Sequence, residues 1–145
     1  MTFDLRHRMM PSHFKGVLGL VEKNLASAYK QEDLTEIQFQ ILDALSGSKR
    51  FNNQEFSQKL LVQVTGLPKH KITRNLDILE QRKLLMRVDD KLSRRCKNIH
   101  LTEEGSKLAY EVSAIYNKAC ADVFSVLSDD ECSMLQKLLL KLRGV

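Results

Sequence analysis

The sequence predicts a mainly α fold interrupted by one small β-hairpin. Three observations carry that expectation. Apolar residues recur at helical spacing before and after the middle of the chain. The period shortens toward two only in LLMRV and KNIHL. Capping residues and glycines punctuate the periodic segments where helices should start and stop.

The elements follow in order. After Pro11, Phe14, Val17, Leu18, Val21, Leu25 and Ala28 keep helical spacing, predicting a first helix over about residues 10–31. In DLTEIQFQILDALSG, Thr35 can cap and Gln38 can return the bond, while Leu34 can staple against Phe39. Ile37, Ile41, Leu42 and Leu45 form its buried stripe, and Gly47 is expected to end it in a left-handed conformation. A third helix is expected from near Asn53, carrying Phe56, Leu60, Leu61 and Val64 and closed by Gly66. Pro68 suits the first turn of a fourth helix, PKHKITRNLDILEQR, whose Ile72, Leu76 and Leu79 share one face. His70, Arg74 and Asp77 point away from that face, with Lys71 and Thr73 on its flanks.

LLMRV and KNIHL read as two strands joined by a loop over residues 89–95. Thr102 caps the next helix, with Glu103 and Glu104 at its positive dipole end. Leu108, Val112, Ile115, Ala119, Val123 and Val126 give that helix an apolar seam. Ser128 with Glu131 forms a capping box, opening a final helix over about residues 129–143. A helix-turn-helix followed by a hairpin is the order of a winged helix. The chain thus reads as one domain of 145 residues: a winged-helix lobe over about 32–101, flanked by helices over about 8–31 and 103–145.

The hairpin loop holds Lys91, Arg94 and Arg95, and Lys97 follows at once. Alone, such a cluster would merely keep a turn solvated. In a winged-helix order the expectation becomes contact with DNA phosphates or the minor groove. On the fourth helix, Lys69, His70, Lys71, Thr73, Arg74 and Asn75 are candidate contacts to phosphates and base edges. Arginine suits guanine and asparagine suits adenine. Asp77 would repel phosphate and is placed off the contact; Ile78 has no assigned role.

Composition narrows the classes. Hydrophobic residues make up 43% and charged residues 28%, an ordinary globular balance, and the net charge of +5 suits an anionic partner. Cys96, Cys120 and Cys132 are odd in number and include no C-x-x-C, which argues against a disulfide framework. Cys96 has basic neighbours that would activate a thiol, but it is expected to face the core; Cys120 and Cys132 are expected to pack on helices. His7, His13, His70 and His100 make no zinc ligand set, and no metal or cofactor is expected. No catalytic motif is visible, so an enzyme is not expected. No apolar run is long enough to span a membrane, and no secretory leader is recognisable; a cytoplasmic protein is expected.

LTEIQFQILDAL, GLPKHKITRNLDILEQRKLLMRV, SRRCKNIHLTEEG and LSDDECSMLQKLLLKL, in this order, resemble the MarR family of transcriptional regulators over about residues 34–143. The resemblance implies a homodimer that binds palindromic double-stranded DNA through two winged helices. It also implies interleaved first and last helices and a small-molecule effector that releases the DNA, pointing to a ligand-responsive repressor. Three positions depart from the family pattern. Ser93 stands where the wing usually carries an acid before its arginines, Lys83 stands where a glycine is usual, and Asn52–Gly66 is about one turn longer than usual.

The apolar stripes agree with a dimer. Phe14 and Val17 on the first helix, and Leu135, Leu138, Leu139 and Leu142 on the last, exceed what one small core can obviously bury. The alternative is a winged helix used as a protein-interaction module, its basic wing docking an acidic partner.

Overall fold

The computed structural model describes residues 5–47 and 56–145. Six helices and three strands run α1 (Leu5–Gln31), α2 (Glu36–Ser46), β1 (Phe56–Ser57), α3 (Gln58–Thr65), α4 (Lys69–Gln81), β2 (Leu85–Asp89), β3 (Lys97–Leu101), α5 (Glu103–Phe124) and α6 (Asp129–Arg143). The sheet is antiparallel, in the order β1-β3-β2. The chain divides into two compact units, one of Ser27–Tyr116 and one of Met1–Ala26 with Asn117–Val145.

In the central unit, Phe39, Ile41 and Leu42 of α2, Leu61 of α3 and Ile72, Leu76 and Leu79 of α4 are fully buried. The Phe39 ring stands edge-on to Tyr29, with centroids 5.1 Å apart. The α2 capping box forms as expected: Thr35 Oγ1 accepts from the Gln38 amide, and Gln38 Oε1 accepts from the Thr35 amide. Gly47 departs from expectation. Its φ is −77°, because its amide still bonds to the Asp43 carbonyl and the helix needs no left-handed reversal there. Gly66 does take the left-handed conformation, at φ 69°.

The expected start of the third helix near Asn53 lies outside the described residues. Phe56, expected on that helix, instead pairs in a strand opposite Ile99, and Ser57 pairs with Asn98. The hairpin is therefore a three-stranded sheet. Burying Phe56 against β3 outweighs one more helical turn, and Ser57 then caps α3 by accepting from the Leu60 amide. Pro68 sits one residue outside α4, its carbonyl accepting from the Lys71 and Ile72 amides.

The junction of sheet and α5 is tight. Thr102 Oγ1 donates to the Lys83 carbonyl at 2.7 Å and accepts from the Gly105 amide at 3.0 Å. The Thr102 amide donates to the Leu84 carbonyl. A Cβ on Gly105 would lie 1.7 Å from that same Leu84 oxygen, so only glycine fits. Lys83 itself has φ 60°, the left-handed region that favours glycine.

In the other unit, Val21 and Leu25 of α1 and Ala119 of α5 are buried, and Asn24 Nδ2 donates to the Ala119 carbonyl. α1 begins at Leu5, earlier than expected, and contains Pro11, which withholds one backbone donor. Val126, expected on the α5 seam, is 84% exposed, because α5 ends at Phe124 and Val126 falls in the turn before α6. Ser128 caps α6 by accepting from the Glu131 amide, and Gly144 closes it at φ 73°. α6 has no buried residue: Met134, Leu138, Leu139, Leu140 and Leu142 are all exposed, and Leu135 is half-buried.

Candidate nucleic-acid interface

α3 and α4 meet through a short turn. Gly66 reverses the backbone, and Thr65 Oγ1 accepts from the Leu67 amide within it. The apolar stripe of α4 then turns inward and forces the opposite face out. Lys69, His70, Lys71, Arg74 and Asp77 are exposed. The four basic residues among them make no ion pair with a described residue.

Asn75 does not join this outward face. It is buried, and its Nδ2 donates to the Lys71 carbonyl at 2.8 Å. The period explains why: Asn75 lies three residues after Ile72 and four before Leu79, on the stripe itself. That signal was present in the sequence. Thr73 is half-buried on the flank, where its hydroxyl meets both Gln58 and the Lys69 carbonyl.

The wing is an ordered turn. The Asp90 amide donates to the Cys96 carbonyl, the Leu92 amide donates to Asp90 Oδ1, and the Cys96 amide donates to the Ser93 carbonyl. This leaves Lys91, Arg94 and Arg95 exposed, and none of them pairs with a described acid. Lys97 differs. It forms an ion pair with Asp89 across the β2–β3 register. Both partners are about half exposed, so the pair is weak, and Lys97 can exchange it for another anion. Cys96, expected to face the core, is exposed beside Arg95 because it precedes β3 and closes the turn.

A feature that sequence reasoning missed sits behind this surface. Arg87 on β2 donates from Nε and Nη2 to Glu80 Oε2 at 3.0 and 2.6 Å, and from Nη2 to Asp77 Oδ1 at 2.5 Å. Its amide also donates to Glu80 Oε1. The side-chain hydrogen bond from Arg87 holds the Glu80 carboxyl below its ordinary range. Burial opposes the Arg87 charge, but the bonds to Glu80 and Asp77 outweigh it and raise its pKa. Asp77 and Glu80, three apart on α4, were a visible acidic pair; their cation could not be named from sequence because it arrives from another element.

Comparison with known proteins points the same way as this geometry. The MarR family model matches residues 32–95, which hold α2, the helix-turn-helix and the arginines of the wing. That segment resembles the MarR family. A MarR-family transcriptional regulator from Rhodococcus sp. RHA1 is 26% identical, with a TM-score of 0.70 over 98% of this chain and 95% of that one. MepR from S. aureus, in its DNA-binding conformation, is 24% identical, with a TM-score of 0.74 over 99% of this chain and 98% of that one. The structure of the MepR–DNA complex gives a TM-score of 0.65 at the same 24% identity, over 99% of this chain and 97% of that one.

Several of the solved structures that this chain resembles are described as transcription regulators. The chain's departures from the family pattern also acquire physical readings. Lys83, where the MarR pattern has glycine, keeps the glycine conformation at φ 60°. Ser93, where the pattern has an acid, uses its carbonyl to close the wing turn on Cys96. No described helix is long and apolar enough to cross a membrane, and no described cluster of acids, histidines and cysteines could hold a metal ion.

Proposed function

We propose that this chain is a cytoplasmic, sequence-specific double-stranded DNA-binding repressor of the MarR family that acts as a homodimer on a palindromic operator. The observation that carries this reading is a set of basic side chains on two elements that form no ion pair among the described residues. These are Lys69, Lys71 and Arg74 on α4, with the His70 imidazole exposed among them, and Lys91, Arg94 and Arg95 on the wing. Lysines and arginines paired with no described acid can displace counterions from phosphate. Lys97 joins them by exchanging its exposed partner, and Thr73 adds a contact at the flank. The DNA-binding of MepR supports the same direction.

The dimer rests on exposed apolar surface. Phe14, Val17 and Leu18 on α1, and Leu138, Leu139 and Leu142 on α6, are all more than a third exposed in one protomer. Leu135, half-buried, continues the α6 stripe. Such stripes on long amphipathic helices suit a two-fold interface between copies. In this reading the lobe over about 32–101 contacts DNA, and the helices over about 8–31 and 103–145 assemble the dimer.

A small-molecule effector would complete the cycle. An open concavity of about 490 Å³, lined in part by Tyr29, Lys30, Asp33, Ile78 and Arg82, offers an aromatic ring, two cations and one acid to a small polar ligand.

The deciding experiment is selection of bound duplexes from a random pool, followed by affinity measured against salt. A steep fall in affinity with salt and one enriched inverted repeat are expected. Met86, Val88 and Leu92 are exposed on or beside the wing and favour the second reading, docking of a protein partner. No duplex binding at low salt would favour that reading instead.

A further inference from the structure

Thr73 lies on the flank of α4, half-buried, between the DNA-facing side of the helix and α3. Its hydroxyl proton and one of its two lone pairs are engaged. Oγ1 donates to the Lys69 carbonyl at 3.0 Å and accepts from Gln58 Nε2 at 2.6 Å. The proton is committed to Lys69, so Gln58 must present an N–H there, as it does. The hydroxyl thus has no donor left for a base edge. With Oγ1 drawn back along the helix and toward α3, the apolar group that Thr73 can offer is its methyl.

In the major groove, the four bases differ in one apolar feature: only thymine carries a C5 methyl. We propose that Thr73 reads DNA by methyl-to-methyl contact with thymine, and that Gln58 is the positioning residue that holds the hydroxyl out of the readout. This rests on the DNA-binding reading above and adds a specificity to it. The expected preference is for thymine at one position of each half-site, with no tolerance gained from a hydrogen-bonding base there.

The test uses the full chain and the strongest duplex from the random-pool selection. Each thymine is replaced in turn by deoxyuridine, which removes only the methyl and leaves pairing intact. Wild-type protein is expected to lose about fourfold in affinity at one thymine per half-site, the effect of burying one methyl-sized group. For Thr73→Ser, which keeps the hydroxyl and both its partners, thymine and uracil at that position should bind alike. For Thr73→Val, which keeps a methyl, the penalty should persist. Equal binding of every deoxyuridine duplex by wild type would overturn the proposal, as would an undiminished penalty in Thr73→Ser. Failure to select any duplex would instead overturn the DNA-binding reading, and this inference with it.

Discussion

Arg87 on β2 binds Glu80 on α4 through three hydrogen bonds, two from its guanidinium and one from its backbone amide. The wing and the helix behind it are therefore joined by a side chain whose remaining contact neutralises Asp77. Without that cation, an exposed carboxylate would stand on the face that we propose meets phosphate.

Arg87→Ala should separate stability from binding. The pair is partly exposed, so urea unfolding should show a loss of only about 1 kcal/mol. Affinity for the selected duplex should fall by tenfold or more, because Asp77 and Glu80 are left as bare negative charges. Adding Asp77→Asn to Arg87→Ala should recover part of the affinity. No recovery would show that Asp77 is remote from the DNA.

Glu80 also sets a pH signature. Its folded pKa lies below its ordinary value of 4.5, so the stabilisation is complete above about pH 5. It is lost as pH falls through the folded pKa. The stability difference between wild type and Glu80→Gln should therefore be constant from pH 7 to about 5 and should shrink at lower pH. Urea titrations across that range measure it; a difference that grows on acidification would contradict the pairing.

Arg94→Ala with Arg95→Ala should weaken binding on many sequences alike. Each lost phosphate contact should lower the slope of log affinity against log salt by about 0.9. A double variant with the wild-type affinity and slope would reduce the wing cluster to a solubilising turn.

Two backbone positions should respond in opposite senses. Gly105→Ala forces a Cβ onto the Leu84 carbonyl and should cost about 3 kcal/mol, with loss of the ordered sheet–α5 junction. Lys83→Gly relieves a left-handed non-glycine residue and should stabilise by about 1 kcal/mol. Thermal and urea unfolding read both.

Leu138→Glu with Leu142→Glu tests the dimer. Both positions are exposed in one protomer, so the variant should fold. In the dimer each charge would be stranded in apolar surroundings. Sedimentation should show a monomer, and an inverted repeat with half-site centres about 10 bp apart should lose far more affinity than a single half-site. An unchanged sedimentation profile would place the interface elsewhere.

Local chemistry alone determined much of this protein. The Thr35–Gln38 box, the Gly66 reversal, the Ser128 cap and the apolar stripes of α2, α4 and α6 follow from residues a few positions apart. Both expected hairpin strands appeared within one residue of their expected bounds. The outward cations of α4 and the wing were equally legible, because a buried stripe dictates what its opposite face must hold. The inward Asn75 was legible by the same rule.

Tertiary structure decided what depends on partners distant in sequence. Phe56 became a strand residue only because β3 lies beside it. Glu80 found its cation on β2, and Gly105 became irreplaceable only because the Leu84 carbonyl meets it. Lys83 took a glycine conformation because the chain had to leave α4 and enter β2 at once. In each case the deciding contact joins separate elements, and periodicity along one element carries no information about what packs against it.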